Sequence, residues 1–225
     1  MLALCALLGW WLTHGPTPAY RYRLTVEIET PEGLRTGSSV IEVETSESSF
    51  PHSTVNHRVR GEAVAVDLPG GKTLFALLRS ESDVAWASRV MFMLAPEAPD
   101  TAPDPFQARF DNMLNLSGPV ALPRMWPPVA HLSERSAYPM LVTFGDLDDP
   151  TSVARVDPDD LSASFGDGVR LKRITVRMTN APVTRGVVAR LPRPSEKGFF
   201  NWNGRSNPNE GFVVGIWDFS RGTQD

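Results

Sequence analysis

The chain has 225 residues, enough for one large domain or two small ones around a closed apolar core. Its 41% hydrophobic, 21% charged and 9% aromatic content is ordinary globular usage and excludes wholesale disorder, collagen and coiled coil. Lys and Arg number 22 against 26 Asp and Glu, a net charge of -4, which excludes a dedicated nucleic-acid binder because phosphate binding needs clustered excess cation.

The chain opens on MLALCALLGWWLTHG, apolar from Leu2 to Leu12 and closed by Gly15, Pro16 and Pro18. Eleven helical residues cover about 16 Å, short of the roughly 30 Å hydrocarbon core, whereas a signal-peptide apolar region needs only about 7–15 residues. Residues 1–19 therefore read as a signal peptide or membrane anchor, with Thr17-Pro18-Ala19 as a cleavage site before Tyr20. No Lys or Arg precedes the run; a start further upstream would lengthen it into an anchor with Trp10 and Trp11 at the interface. Cys5 is the single cysteine and lies inside this run, so residues 20–225 hold no disulfide, thiol nucleophile or thiolate metal site.

Residues 20–225 read as a single β-rich globular domain. YRYRLTVEI from Tyr20 to Ile28 alternates apolar and charged residues, placing Leu24, Val26 and Ile28 inward. Ser38 to Val43 resumes the alternation after a longer connection, giving an antiparallel pair. Arg58 to Leu68 then turns at Pro69-Gly70-Gly71 into Lys72 to Leu78, a second hairpin. Ser80, three residues before Asp83, has capping-box spacing ahead of a helix with Val84, Ala87, Met91 and Leu94 on one face. After a Pro-rich connector, Asp104-Pro105 caps a second helix carrying Phe106, Phe110, Met113 and Leu114. Tyr138 to Phe144, Val169 to Met178, Val187 to Leu191 and Phe212 to Phe219 complete the strands. The fold class is α+β: an antiparallel sheet or sandwich of about eight strands with two or three helices, preceded by the apolar N-terminal segment.

Two charge clusters are candidate sites. GDLDDPTSVARVDPDD holds Asp146, Asp148, Asp149, Asp157, Asp159 and Asp160. Carboxylates at close spacing suit calcium, with Asp146, Asp148 and Asp149 as ligands, although the twelve-residue calcium-loop pattern is absent. Equally, Asp157-Pro158 suits a helix start and the other carboxylates suit turns. The following stretch carries Arg170, Lys172, Arg173, Arg177, Arg185, Arg190 and Arg193. Its apolar phase flips between Leu171 and Ile174, which predicts a bulge. Such a ribbon either touches anionic headgroups or cell-wall polymers through Arg170, Lys172 and Arg173, or neutralises the neighbouring acidic segment.

His52 and His57 are spaced poorly for zinc, His131 stands alone, and the motifs G-x-S-x-G, G-x-G-x-x-G, H-E-x-x-H and the P-loop are missing. Near the C-terminus Phe199, Phe200, Trp202 and Trp217 mix with Asn201, Asn203 and Asn207, a sugar-binding composition in which Trp202 is a candidate contact; the same residues also suit core and turns.

The segments YRYRLTVEIETPEGLRTGSSV, GEAVAVDLPGGKTLFALL and YPMLVTFGDLDDPTSVARVDPDDL together resemble an uncharacterised family of short bacterial proteins with a hydrophobic N-terminal segment. The resemblance covers about half the chain and implies a bacterial envelope setting, with no activity or catalytic residue attached. The expected function is a non-enzymatic binding or accessory domain, periplasmic or anchored facing the periplasm, whose partner is an envelope protein or polymer. The rival is an envelope hydrolase using Asp146, Asp148 and Asp149, with or without calcium; no other cofactor is expected.

Overall fold

The computed structural model describes residues 18–48, 54–128, 135–200 and 213–222. Among the described residues, two antiparallel sheets are built from ten strands. Period-two alternation makes β1 (Tyr20–Thr30) the frame of the larger one, since its burial alternates at every residue. Tyr20, Tyr22, Leu24, Val26 and Ile28 are all buried on one face. It pairs with β2 (Gly33–Ser48) in unbroken register from Tyr20↔Val43 to Thr30↔Gly33. The expected long connection is instead a two-residue turn at Pro31-Glu32, held by Thr30 Oγ1 donating to the Gly33 carbonyl at 2.8 Å.

The expected single run from Arg58 to Leu68 divides between the sheets. β3 (Thr54–Glu62) pairs with β2, whereas β4 (Val64–Asp67) pairs with β5 (Thr73–Ala76) across the Pro69-Gly70-Gly71 turn. The chain changes sheet at Ala63, just after Gly61, whose φ of +150° favours glycine and brings it against Ile41. The Ala63 N–H then donates to the Phe219 carbonyl at 2.7 Å.

Two helices follow. α1 (Trp86–Leu94) starts later than the Ser80 spacing suggests. The Ser80 hydroxyl does accept from the Asp83 N–H at 3.0 Å, but it closes a preceding turn and leaves Val84 exposed. α2 (Pro105–Leu114) begins as expected, with Asp104 accepting from the Gln107 N–H at 3.0 Å. β6 (Val120–Ala121), β7 (Leu141–Phe144), β8 (Val153–Val156), the one-turn α3 (Ser162–Phe165) and β9 (Arg170–Met178) come next. The predicted bulge in β9 is present: the register with β1 shifts between Glu27↔Arg173 and Ile28↔Leu171, leaving Lys172 extra.

Two expected strands are helical turns instead. Val188–Arg190 is a 3-10 turn, closed by the Arg190 and Leu191 amides donating back to Val187 and Val188. The Val187 N–H, which a ladder would use, is taken by the Glu62 carboxylate. Phe212 lies outside the described residues. The rest of that segment bridges Phe199 at Gly215 and then forms α4 (Ile216–Phe219), where the Asp218 carboxylate caps the Gly215 N–H at 3.0 Å, before the short strand β10 (Ser220–Arg221).

The larger sheet runs β10-β3-β2-β1-β9-β6 and the smaller β4-β5-β7-β8. Leu24, Val26, Ile28 and Ile41 of the first meet Val64, Val66, Leu74 and Leu141 of the second in one core. The sheets touch at Gly37, where a Cβ would fall 2.2 Å from the Ala65 carbonyl oxygen. The other face of the smaller sheet packs Phe75, Val142 and Phe144 against Phe200, Val214 and Phe219. That explains why β5 and β7 read as short continuous apolar runs: both of their faces are covered.

Candidate functional site

The smaller sheet leaves the end of the larger sheet where β1 begins uncovered, and α1 and α2 close over it. Two buried tyrosines of β1 tie α1 down. The Tyr22 hydroxyl donates to the Ala87 carbonyl at 2.7 Å and the Tyr20 hydroxyl to the Ser88 carbonyl at 3.3 Å. Burial pushes both phenols far above their ordinary range, so they stay protonated donors. Between helices and strands remains a cavity of about 190 Å³. Its walls are Tyr20, Phe92, Met93, Phe106, Phe110 and Met113, and its polar edge is Thr45, His57, Ser88 and Arg89.

Phe110 meets Tyr20 edge-on with centroids 6.1 Å apart, and Phe92 stacks on Phe106 at 5.2 Å. The Arg109 guanidinium covers the outer side of Phe92 at 4.8 Å. At the rim, Thr45 Oγ1 and His57 Nδ1 lie 3.2 Å apart on neighbouring strands. Burial first, and the Arg89 charge second, lower the His57 pKa below its ordinary value, so the ring is neutral at pH 7. Among the described residues Thr45 is its only hydrogen-bond partner. The pair therefore offers a donor and an acceptor to a ligand. No family model, curated protein or solved structure matches the chain.

Four carboxylates of the acidic segment, Asp146, Asp149, Asp157 and Asp160, hold turns. Asp146 accepts from the Asp148 N–H, Asp149 from the amide and hydroxyl of Thr151, and Asp160 from Ser162 and Ala163. These contacts hold the Asp149 and Asp160 carboxyls below their ordinary pKa. Asp159 pairs with Arg124 and Arg155 with Glu81. Among the described residues no three His, Cys, Asp or Glu side chains gather as a metal cluster would.

The basic ribbon meets different carboxylates from those its sequence neighbours suggest. Arg173 pairs with Glu27 at 2.8 Å, and Arg170 and Lys172 with Glu29 at 2.6 and 3.9 Å, all across the β1–β9 ladder. Phe200 belongs to the core, while Trp217 is 43% exposed and meets Phe199 edge-on at 4.8 Å. Cys5, His52, His131, Trp202 and residues 1–17 lie outside the described residues. The cavity itself was missed because its walls come from segments far apart in the chain: Tyr20 and Ser88 are 68 residues apart. The Phe and Met stripes of α1 and α2 are the signal that was there, since Phe92, Met93, Phe106, Phe110 and Met113 all line the cavity.

Proposed function

We propose that this chain is a non-enzymatic binding module of the bacterial envelope, exported or anchored through residues 1–19, that seats one apolar group of an envelope partner between α1, α2 and the larger sheet. The cavity carries this reading. Its roughly 190 Å³ falls below the ~300–1,000 Å³ of sites for drug-sized ligands, so it suits an apolar side chain or short acyl tail rather than a cofactor. The rim histidine and threonine supply a hydrogen bond to fix the polar end of such a group. Support for the address comes from the apolar run Leu2 to Leu12; among the described residues no helix is long and apolar enough to cross a membrane.

Thermal unfolding in millimolar octanamide or N-acetylphenylalanine amide tests the site, because a ligand that binds only the folded state raises its stability by mass action. Wild type should melt higher in at least one compound, and Met93→Trp, which fills the cavity, should lose the shift. Equal shifts in wild type and Met93→Trp would overturn the site. Cell fractionation with intact mass tests the address, and a product confined to the cytosol with Met1 retained would overturn it.

A further inference from the structure

The outward side chains of β1 read Arg21, Arg23, Thr25, Glu27 and Glu29, so charge changes sign along the strand. At the Glu27 and Glu29 end each carboxylate meets a cation of β9. The other end is unbalanced. Arg23 stands directly opposite Arg177 of β9, Arg21 and Arg60 flank Glu42, and Arg58 stands opposite Glu44. Five arginines there face two glutamates. Glu42 is buried and clamped by Arg21 at 2.6 Å and Arg60 at 3.3 Å, and Arg60 also reaches Glu44 at 3.1 Å. Among the described residues no carboxylate pairs with Arg23, Arg58 or Arg177, and the one hydrogen bond of the Arg23 side chain is to Ser38 Oγ at 3.1 Å. Like charges directly opposite on adjacent strands destabilise a sheet, so the Arg23–Arg177 pair is maintained against its own repulsion.

This cationic end is also where β1 follows residues 1–19. An open trough of about 590 Å³ lies there, lined by Pro18, Ala19, Arg21, Glu42 and Thr179 among others. The seven residues from Thr13 to Ala19 reach at most about 25 Å, so an apolar run held in a bilayer would keep these arginines beside its surface. We propose that the arginine-rich end of the outer sheet face, centred on Arg23, Arg58 and Arg177, rests on the anionic headgroups of a phospholipid bilayer. Its placement beside the bilayer rests on the proposed N-terminal anchor, whereas its preference for an anionic surface rests on the arginines themselves. Charge complementarity selects an anionic surface, and each arginine at such a surface strengthens binding roughly fivefold.

The test is sedimentation of the full chain with phosphatidylcholine vesicles, with and without phosphatidylglycerol, at low and physiological salt. Phosphatidylglycerol should strengthen binding, and salt should weaken that gain. Arg23→Gln with Arg177→Gln should cut the gain roughly twenty-five-fold without lowering the melting temperature. Arg170→Gln with Arg173→Gln, on the balanced end, should leave it intact. Arg58→Gln alone should lose roughly fivefold and covers the case in which the double variant misfolds. A gain retained without Arg23 and Arg177, or abolished by millimolar inorganic phosphate as a small-anion site would be, overturns the proposal. Binding to neutral vesicles with no gain also overturns it while leaving the anchor in place. A gain without binding to neutral vesicles supports it and removes the anchor reading instead.

Discussion

Asp218 shows how a single buried carboxyl is held between two demands. Burial raises its pKa, while the Gly215 N–H and the Arg79 and Arg221 charges pull it down, and burial wins. A carboxyl whose folded pKa lies above its unfolded value contributes stability at low pH that is lost as pH rises through the folded pKa. Asp218→Asn keeps an oxygen for Gly215 and removes the charge. Its melting temperature relative to wild type should therefore climb between pH 3 and pH 7; a constant difference would show that ionisation carries no cost there. Gly37 is fixed by space alone. A methyl group would lie 2.2 Å from the Ala65 oxygen and 2.9 Å from Val66 Cγ2, so Gly37→Ala should cost about 1–3 kcal/mol by denaturant unfolding. Gly145→Ala, whose nearest neighbour would be 3.7 Å away, should change stability by less than about 0.5 kcal/mol.

The elements best foreseen from sequence are those whose residues satisfy one another locally. α2 follows from Asp104 and Pro105, and Asp104→Ala should lower stability by about 0.5–2 kcal/mol, with faster amide exchange in its first turn as the check. The β9 bulge was legible because one extra residue flips the inward phase, which the letters record directly. The Pro69-Gly70-Gly71 hairpin was legible from turn chemistry. Val187 to Leu191 and the segment ending at Phe219 misled because apolar content alone does not choose between strand and helical turn. The choice was made by Glu62 and Asp218, buried carboxylates that capture backbone amides. The acidic segment misled in the opposite sense: its density suggests a ligand set, but Asp146, Asp149, Asp157 and Asp160 each sit two or three residues from an amide they cap.

Across the whole molecule, the division into two sheets is written in the one place where the sequence looks continuous. Nothing in Arg58 to Leu68 marks Glu62 as the last residue of one sheet and Val64 as the first of the next; only the approach of Gly61 to Ile41 and of Ala63 to Phe219 makes the change necessary. The cavity and the arginine-rich face are assembled at this same scale, from β1, β2, β3, β9 and the helix pair, and so could not be read from any one stretch. The charge ribbon illustrates the rule. Arg170 and Arg173 stand close in sequence to the aspartates yet pair with glutamates 141 and 146 residues away.

That last separation has a consequence for how the chain is made. β1 lies in the middle of its sheet, but the strand on its far side, β9, leaves the ribosome 146 residues later, counted from Glu27 to Arg173. At about 5–20 residues per second the wait is roughly 7–30 s. The β1–β2 hairpin can close early, yet one row of β1 backbone donors and acceptors stays bare through that interval, beside the apolar row from Tyr20 to Ile28. During synthesis the segment that will become the best-buried strand is thus the one most in need of a holding chaperone.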